Sequence, residues 1–148
     1  MYTELNKKMA ALLSADDSLV TNLSNASALL NEYLDDINWV GFYYRKGDKL
    51  LLGPFQGKVA CVTIPMGRGV CGTAAEKAET VIVTDVHQFP GHIACDCASN
   101  SEIVIPIFDG DKVVGVLDID SPYENRFTPE DQAGLEQFVQ ILEKALTY

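Results

Sequence analysis

Residues 103–120, IVIPIFDGDKVVGVLDID, decide how this chain is built. Two apolar runs, 103–108 and 113–120, flank Asp109-Gly110-Asp111. Asp-Gly between β-branched runs is hairpin chemistry, because glycine enters the positive-φ region that a tight turn requires without steric cost. Counting by two along the second run puts Val114, Val116, Asp118 and Asp120 on one face, and Val113, Gly115, Leu117 and Ile119 on the other. The second face is apolar throughout and belongs in a core. The first ends in two carboxylates, about 7 Å apart along the strand. Val114 and Val116 make this face apolar too, so the strand is expected to be buried on both sides, with its paired acids flooring a pocket. Glu102 stands immediately before the partner strand, where a hairpin closed at 109–111 brings it near Asp120. Three carboxylates then converge. They could bind an ammonium, and their mutual repulsion could keep one protonated and able to act as an acid.

Upstream lies a second hairpin, with residues 38–45 and 49–56 joined by Lys46-Gly47-Asp48. Trp39 and Tyr43 are four apart and share a face, which suits an aromatic wall for a small or cationic group. A short strand over 59–64 ends at Pro65, a short helix covers 69–77, and another short strand covers 81–84. Residues 85–101, DVHQFPGHIACDCASNS, show no period, and a structureless stretch of this length inside a domain is often functional. Both ends of the chain are helical in pattern. Leu5, Met9, Leu12 and Leu13 form one stripe, and Leu19, Val20, Leu23, Leu30, Tyr33, Leu34 and Ile37 form a second, started by a cap at Asp16, Asp17 or Ser18. Thr128-Pro129-Glu130-Asp131 opens a last helix striped by Leu135, Phe138, Val139, Leu142 and Leu146. Two helices, a mostly antiparallel sheet and a closing helix make an α+β class. Repeats, low-complexity tracts and linkers are absent, so 1–148 reads as a single domain.

The 148 residues carry 11 basic and 21 acidic side chains, a net charge of −10. That opposes nucleic acid and anionic membrane as partners, since both are held by Lys and Arg. The N-terminus lacks the order of a signal peptide and no apolar run approaches a membrane span, so a cytoplasmic protein is expected. Cysteine in that compartment is filler, metal ligand or redox nucleophile rather than a disulfide framework. Cys61 falls in the expected strand, Cys71 at a glycine-rich helix start where the helix N-terminus lowers a thiol pKa, and Cys95 and Cys97 in the long loop. Zinc on His87, His92, Cys95 and Cys97 is disfavoured by the C-x-C and H-x4-H spacings. Gly67-Arg68-Gly69-Val70-Cys71-Gly72 matches a dinucleotide fingerprint, but the alternating βαβ units and the acid about 20 residues on are missing, so a tight turn explains it better. Redox-coupled thiols around a carboxylate-lined pocket fit the pattern best.

These residues also carry a resemblance. Asn38-Trp39-Val40-Gly41-Phe42-Tyr43, Gly53-Pro54-Phe55-Gln56-Gly57, Gly91-His92-Ile93-Ala94-Cys95-Asp96, Ser99-Asn100-Ser101-Glu102-Ile103-Val104 and Gly115-Val116-Leu117-Asp118-Ile119-Asp120-Ser121 closely resemble the free methionine-(R)-sulfoxide reductases, which are stand-alone GAF-domain enzymes. The likeness runs from about Ser27 to Leu146. It implies the GAF fold: a six-stranded antiparallel sheet with the terminal helices on one face and a ligand pocket on the other. It implies three redox cysteines at Cys61, Cys71 and Cys95, substrate carboxylates at Glu102, Asp118 and Asp120, and a pocket tryptophan at Trp39; Cys97 departs from the family pattern. It further implies free L-methionine-(R)-sulfoxide as substrate, Cys95 as nucleophile, a sulfenic acid and then a disulfide, a thioredoxin-type reductant, and no metal or organic cofactor. Spacing does not choose the resolving thiol; Cys61 is favoured, with Cys71 as a relay or second partner. A homodimer is compatible with the sequence. The competing reading is a GAF sensor module that binds a small molecule without chemistry.

Overall fold

Both hairpins lie side by side in one sheet. The computed structural model describes residues 1–91 and 99–146. In chain order these form α1 (Tyr2–Leu12), α2 (Leu19–Tyr33), β1 (Trp39–Lys46), β2 (Lys49–Gly57), β3 (Thr63–Pro65), α3 (Gly69–Lys77), β4 (Val81–Val83), a 3-10 turn (Val86–Gln88), β5 (Ser101–Asp109), β6 (Lys112–Ser121) and α4 (Pro129–Ala145). Among the described residues the sheet has six strands in the order β3-β2-β1-β6-β5-β4, and each neighbouring pair is antiparallel. The α+β expectation holds.

The sheet is buried on both faces. On one, Val40, Phe42, Ile103, Ile105, Leu117 and Ile119 pack against Leu5, Met9, Leu30, Leu135, Phe138 and Leu142 of α1, α2 and α4. On the other, Trp39, Tyr43, Val104 and Val116 pack with Val70, Cys71 and Ala74 of α3. The starts of α2 and α4 follow the capping logic. The Ser18 hydroxyl accepts from the Thr21 N–H, and Thr128 and Asp131 form a reciprocal capping box with Pro129 in the first turn. Burial pushes the Asp131 carboxyl up. Hydrogen bonds from Tyr2 and Thr128 and the charge of Arg126 outweigh this and hold it below its ordinary value.

Three local expectations are corrected. First, Val113 packs with the pocket-side cluster and Val114 with the helix side, the reverse of strict alternation. The register explains it: Ile107 pairs with Gly115 and Phe108 with Val113, so β6 carries one extra residue, a bulge that flips the pattern beyond it. Second, residues 59–62 are not a strand. Gly57, at φ 138°, takes the chain out of β2, and β3 pairs with β2 only from Leu51↔Thr63 to Lys49↔Pro65. Cys61 therefore sits on a connector, between Val59 at 87% and Val62 at 69% exposure. Third, β5 begins at Ser101, so Glu102 lies inside the strand rather than before it.

The contact between α1 and α4 yields a test of packing. A Cβ built on Gly134 would overlap the Tyr2 ring, whose hydroxyl is fixed by a 2.6 Å bond to Asp131. Gly134→Ala should gain about 1 kcal/mol in helix propensity. Overpacking against a pinned ring is expected to win, with a net loss of about 1–2 kcal/mol in urea denaturation.

Candidate active site

The pocket face is organised in rows set by the strand register. Trp39, Asp120, Glu102 and Val83 are successive partners across β1, β6, β5 and β4. Gly41, Asp118 and Val104 form the adjacent row. Because side chains alternate, the three carboxylates expected from sequence all point to this face and converge. The Glu102 carboxyl interacts with both Asp118 and Asp120. From α3 above, the Cys71 thiol lies 4.0 Å from a Glu102 oxygen. Donor atoms of Cys71, Glu102 and Asp118 lie within 4.8 Å of one another, and all three residues are buried. That spacing suits a shared cation, whether a metal or an ammonium.

Electrostatics follow from this crowding. Burial, then the charges of Asp118 and Asp120, raise the Glu102 carboxyl well above its ordinary value, which favours its protonated form. Burial, then Asp118, Glu102 and Asp120, likewise raise the Cys71 thiol. This corrects the expectation that the start of α3 would acidify it: the dipole of a short helix loses to desolvation and nearby negative charge. Cys71 is a free, buried thiol.

The aromatic wall stands beside the acids. Trp39 stacks on Phe55 with centroids 5.2 Å apart at 16°, and on Tyr43 at 6.1 Å and 27°. Gly41 makes this possible, since a Cβ there would overlap Phe55 and approach the Trp39 ring to 2.9 Å. The polar ends of the pair do not face a ligand. The Trp39 indole N–H donates to the Lys58 carbonyl at 3.1 Å, and the Tyr43 hydroxyl donates to the Cys61 carbonyl at 2.9 Å. Burial, then Asp118 and Cys71, raise the Tyr43 phenol, so it stays a donor. Cys61 itself is partly buried and disulfide-bonded.

Of the residues expected in the site, Trp39, Tyr43, Cys71, Glu102, Asp118 and Asp120 come together, and Cys61 lies at the rim through Tyr43. Cys95, Cys97 and His92 lie outside the described residues. The ends flanking that segment are tied down. Val86 N–H donates to the Asn100 carbonyl, Asn100 N–H to Ser121, and the Asn100 amide to Pro122 at 2.6 Å. His87, considered above as a zinc ligand, places its Nε2 3.1 Å from the Asn100 side chain. Sequence reading missed Phe55, because Gly53-Pro54 and a register shift hide the alternation of β2. A separate groove of about 540 Å³, lined in part by Thr80, Pro106, Phe108, Gln132 and Glu143, holds none of these groups.

Comparison with known proteins agrees with this arrangement. The GAF domain family model matches residues 7–146. The free methionine-R-sulfoxide reductase of Escherichia coli is 56% identical over 145 residues, covering 98% of this chain and 88% of that protein. The chain belongs to the GAF family and, within it, to the free methionine-R-sulfoxide reductases. Solved structures of such reductases superpose closely. The reduced fRMsr of Staphylococcus aureus has a TM-score of 0.95 and 56% identity, covering 99% of this chain and 95% of that one. The Neisseria meningitidis free methionine-R-sulfoxide reductase, solved with its substrate, has a TM-score of 0.93 and 44% identity, covering 97% and 87%. In this reductase domain the carboxylates and aromatic stack occupy the sheet face opposite α1, α2 and α4, as the resemblance implies. Among the described residues, no helix is long and apolar enough to cross a membrane.

Proposed function

We propose that this chain reduces free L-methionine-(R)-sulfoxide to L-methionine on the pocket face of the sheet. The observation that carries the reading is the buried triad of Glu102, Asp118 and Asp120 beside the Trp39 stack. The substrate's ammonium lies on the acids and its methyl sulfoxide end lies against Trp39 and Tyr43. The Cys95 thiolate attacks the sulfoxide sulfur, the S–O bond breaks, and the oxygen passes to Cys95 as a sulfenic acid while methionine leaves. Glu102, kept protonated by its neighbours, supplies the proton to the departing oxygen. The Cys61 thiol then displaces the sulfenic hydroxyl as water and forms the disulfide. A thioredoxin-type dithiol reopens it by exchange, becoming a disulfide itself. The engaged Cys61 and the free Cys71 support Cys61 as resolving residue. A cytoplasmic setting, with its reducing thiol pool, suits the cycle.

The deciding assay uses separated R and S epimers of the free sulfoxide with a dithiol reductant. Consumption of the R epimer with matching methionine is expected, and the S epimer should persist. A sensor module would bind the sulfoxide and leave both epimers unchanged, and equal consumption of both would overturn the stereochemical assignment.

Glu102 also makes a pH prediction. Its folded pKa lies above the ordinary carboxyl value of 4.5, so the unfolded chain releases this proton first. The stabilisation is complete below that value and is lost as pH rises through the raised one. Substrate-free stability should therefore decline as pH rises above the ordinary carboxyl value of 4.5, and Glu102→Gln should flatten the decline. The same variant should slow methionine formation by roughly a hundredfold or more, as loss of a general acid does. Parallel urea titrations and initial rates check both; an unchanged pH slope sinks the argument.

A further inference from the structure

We propose that Tyr43 and Trp39 are positioning residues for Cys61: their polar ends pin the connector at 58–61 to the pocket floor and so set how fast Cys61 captures the sulfenic acid. The proposal rests on Cys61 being the resolving thiol of the cycle above. In the structure Cys61 is disulfide-bonded and, with Ala60, packs against the pocket-side cluster; in the reduced chain the disulfide is gone and the polar ties carry more of the placement. The connector leaves β2 at Gly57 and rejoins the ladder only at Thr63, and Val59 and Val62 face solvent. Among the described residues its backbone ties include the bonds from the Trp39 indole to Lys58, from the Tyr43 hydroxyl to Cys61, and from Leu52 N–H to the Val62 carbonyl.

The first two of these ties come from the pocket's aromatic wall. The Tyr43 bond ends on the carbonyl of the redox residue itself. Gly57 sharpens the fit, since a Cβ there would sit 2.6 Å from the Trp39 ring, so the connector leaves the strand flush against the indole. A disulfide closes only when the two Cα atoms lie within roughly 4.4–6.8 Å. A connector free to swing by a few ångströms spends most of its time out of reach, and the effective concentration of the attacking thiol falls accordingly. In the step concerned, the Cys61 sulfur bonds to the Cys95 sulfur, the S–O bond of the sulfenic acid breaks, and hydroxide leaves with the thiol proton as water.

Tyr43→Phe keeps the stacked ring and deletes only the tie. After rapid mixing of reduced protein with one equivalent of sulfoxide, methionine release and disulfide closure are followed separately, with dimedone trapping the sulfenic acid. Closure is expected to slow roughly tenfold more than release, the scale of one lost buried hydrogen bond. The trappable sulfenic acid should persist correspondingly longer. Trp39→Phe, which deletes the Lys58 tie, should shift the ratio the same way and serves if Tyr43→Phe folds poorly. A purely structural defect would slow both steps together. Equal slowing in both variants, with a Cys61 bridge in the peptide map of oxidised wild type, overturns the positioning role alone. A wild-type map without a Cys61 bridge overturns the resolving role and this proposal with it.

Discussion

Cys95→Ser is expected to leave no turnover above background with any reductant, while Cys61→Ser still releases one equivalent of methionine. The asymmetry follows from electron bookkeeping. Reducing a sulfoxide takes two electrons, and the sulfur that accepts the oxygen supplies them by becoming a sulfenic acid. A serine hydroxyl has no such oxidation available, so the first step has no donor. In the proposed cycle Cys61 enters only afterwards. Without it, the sulfenic acid should accumulate, react with dimedone, and turn over slowly where a protein dithiol must resolve it. Cys71 is a poor substitute nucleophile, because its thiol is buried and raised by three carboxyl neighbours. Single-turnover methionine yield for the two variants checks the order. A Cys95→Ser protein with undiminished turnover would place the nucleophile elsewhere.

Much of this site was legible because period-two alternation is local. Asp118 and Asp120 share a face with Val116 whatever the fold, and Trp39 and Tyr43 share one on β1. The Asp-Gly turn then fixes which strand brings Glu102 alongside. Capping was legible for the same reason, as in Ser18 and the Thr128–Asp131 box. The bulge at Val114 was not read, though Gly115 marked it: a Cβ there would press on the Tyr43 carbonyl at 2.5 Å. A lone glycine inside a strand signals such an approach, but not which neighbour gains the extra residue.

The connector and Cys71 failed for non-local reasons. Val59 and Val62 have strand-like side chains, yet pairing depends on where β2 stops offering partners, which long-range register decides. Helix position predicts an acidified Cys71. The opposing terms, burial and the acids of β5 and β6, arrive only when α3 packs over the sheet. The shared face of Trp39 and Tyr43 was readable from type and spacing, but their bonds to Lys58 and Cys61 were not, because both acceptors are main-chain carbonyls on a segment without a pattern.

N-acetylation of the substrate is expected to cut kcat/KM by at least a hundredfold. Asp118, Asp120 and Glu102 are 6%, 9% and 6% exposed, and burial together with the two aspartates raises the Glu102 carboxyl. An incoming ammonium relieves that repulsion and replaces lost water with charge-assisted hydrogen bonds. An amide N–H brings no charge, so acids desolvated by a peptide or N-acetyl ligand stay uncompensated. Removing one partner of a buried ion pair costs about 3–5 kcal/mol, and even the lower figure is more than a hundredfold in affinity. Asp118→Asn and Asp120→Asn delete the attraction from the protein side. Each should raise KM or lower kcat/KM strongly while leaving substrate-free stability unchanged or higher, because each also removes like-charge repulsion. That opposite sign separates a binding role from a structural one, which would lower both together. Comparable kcat/KM on free and N-acetylated sulfoxide would show that the acids do not read the ammonium, and discrimination would then have to come from the steric limits of the pocket.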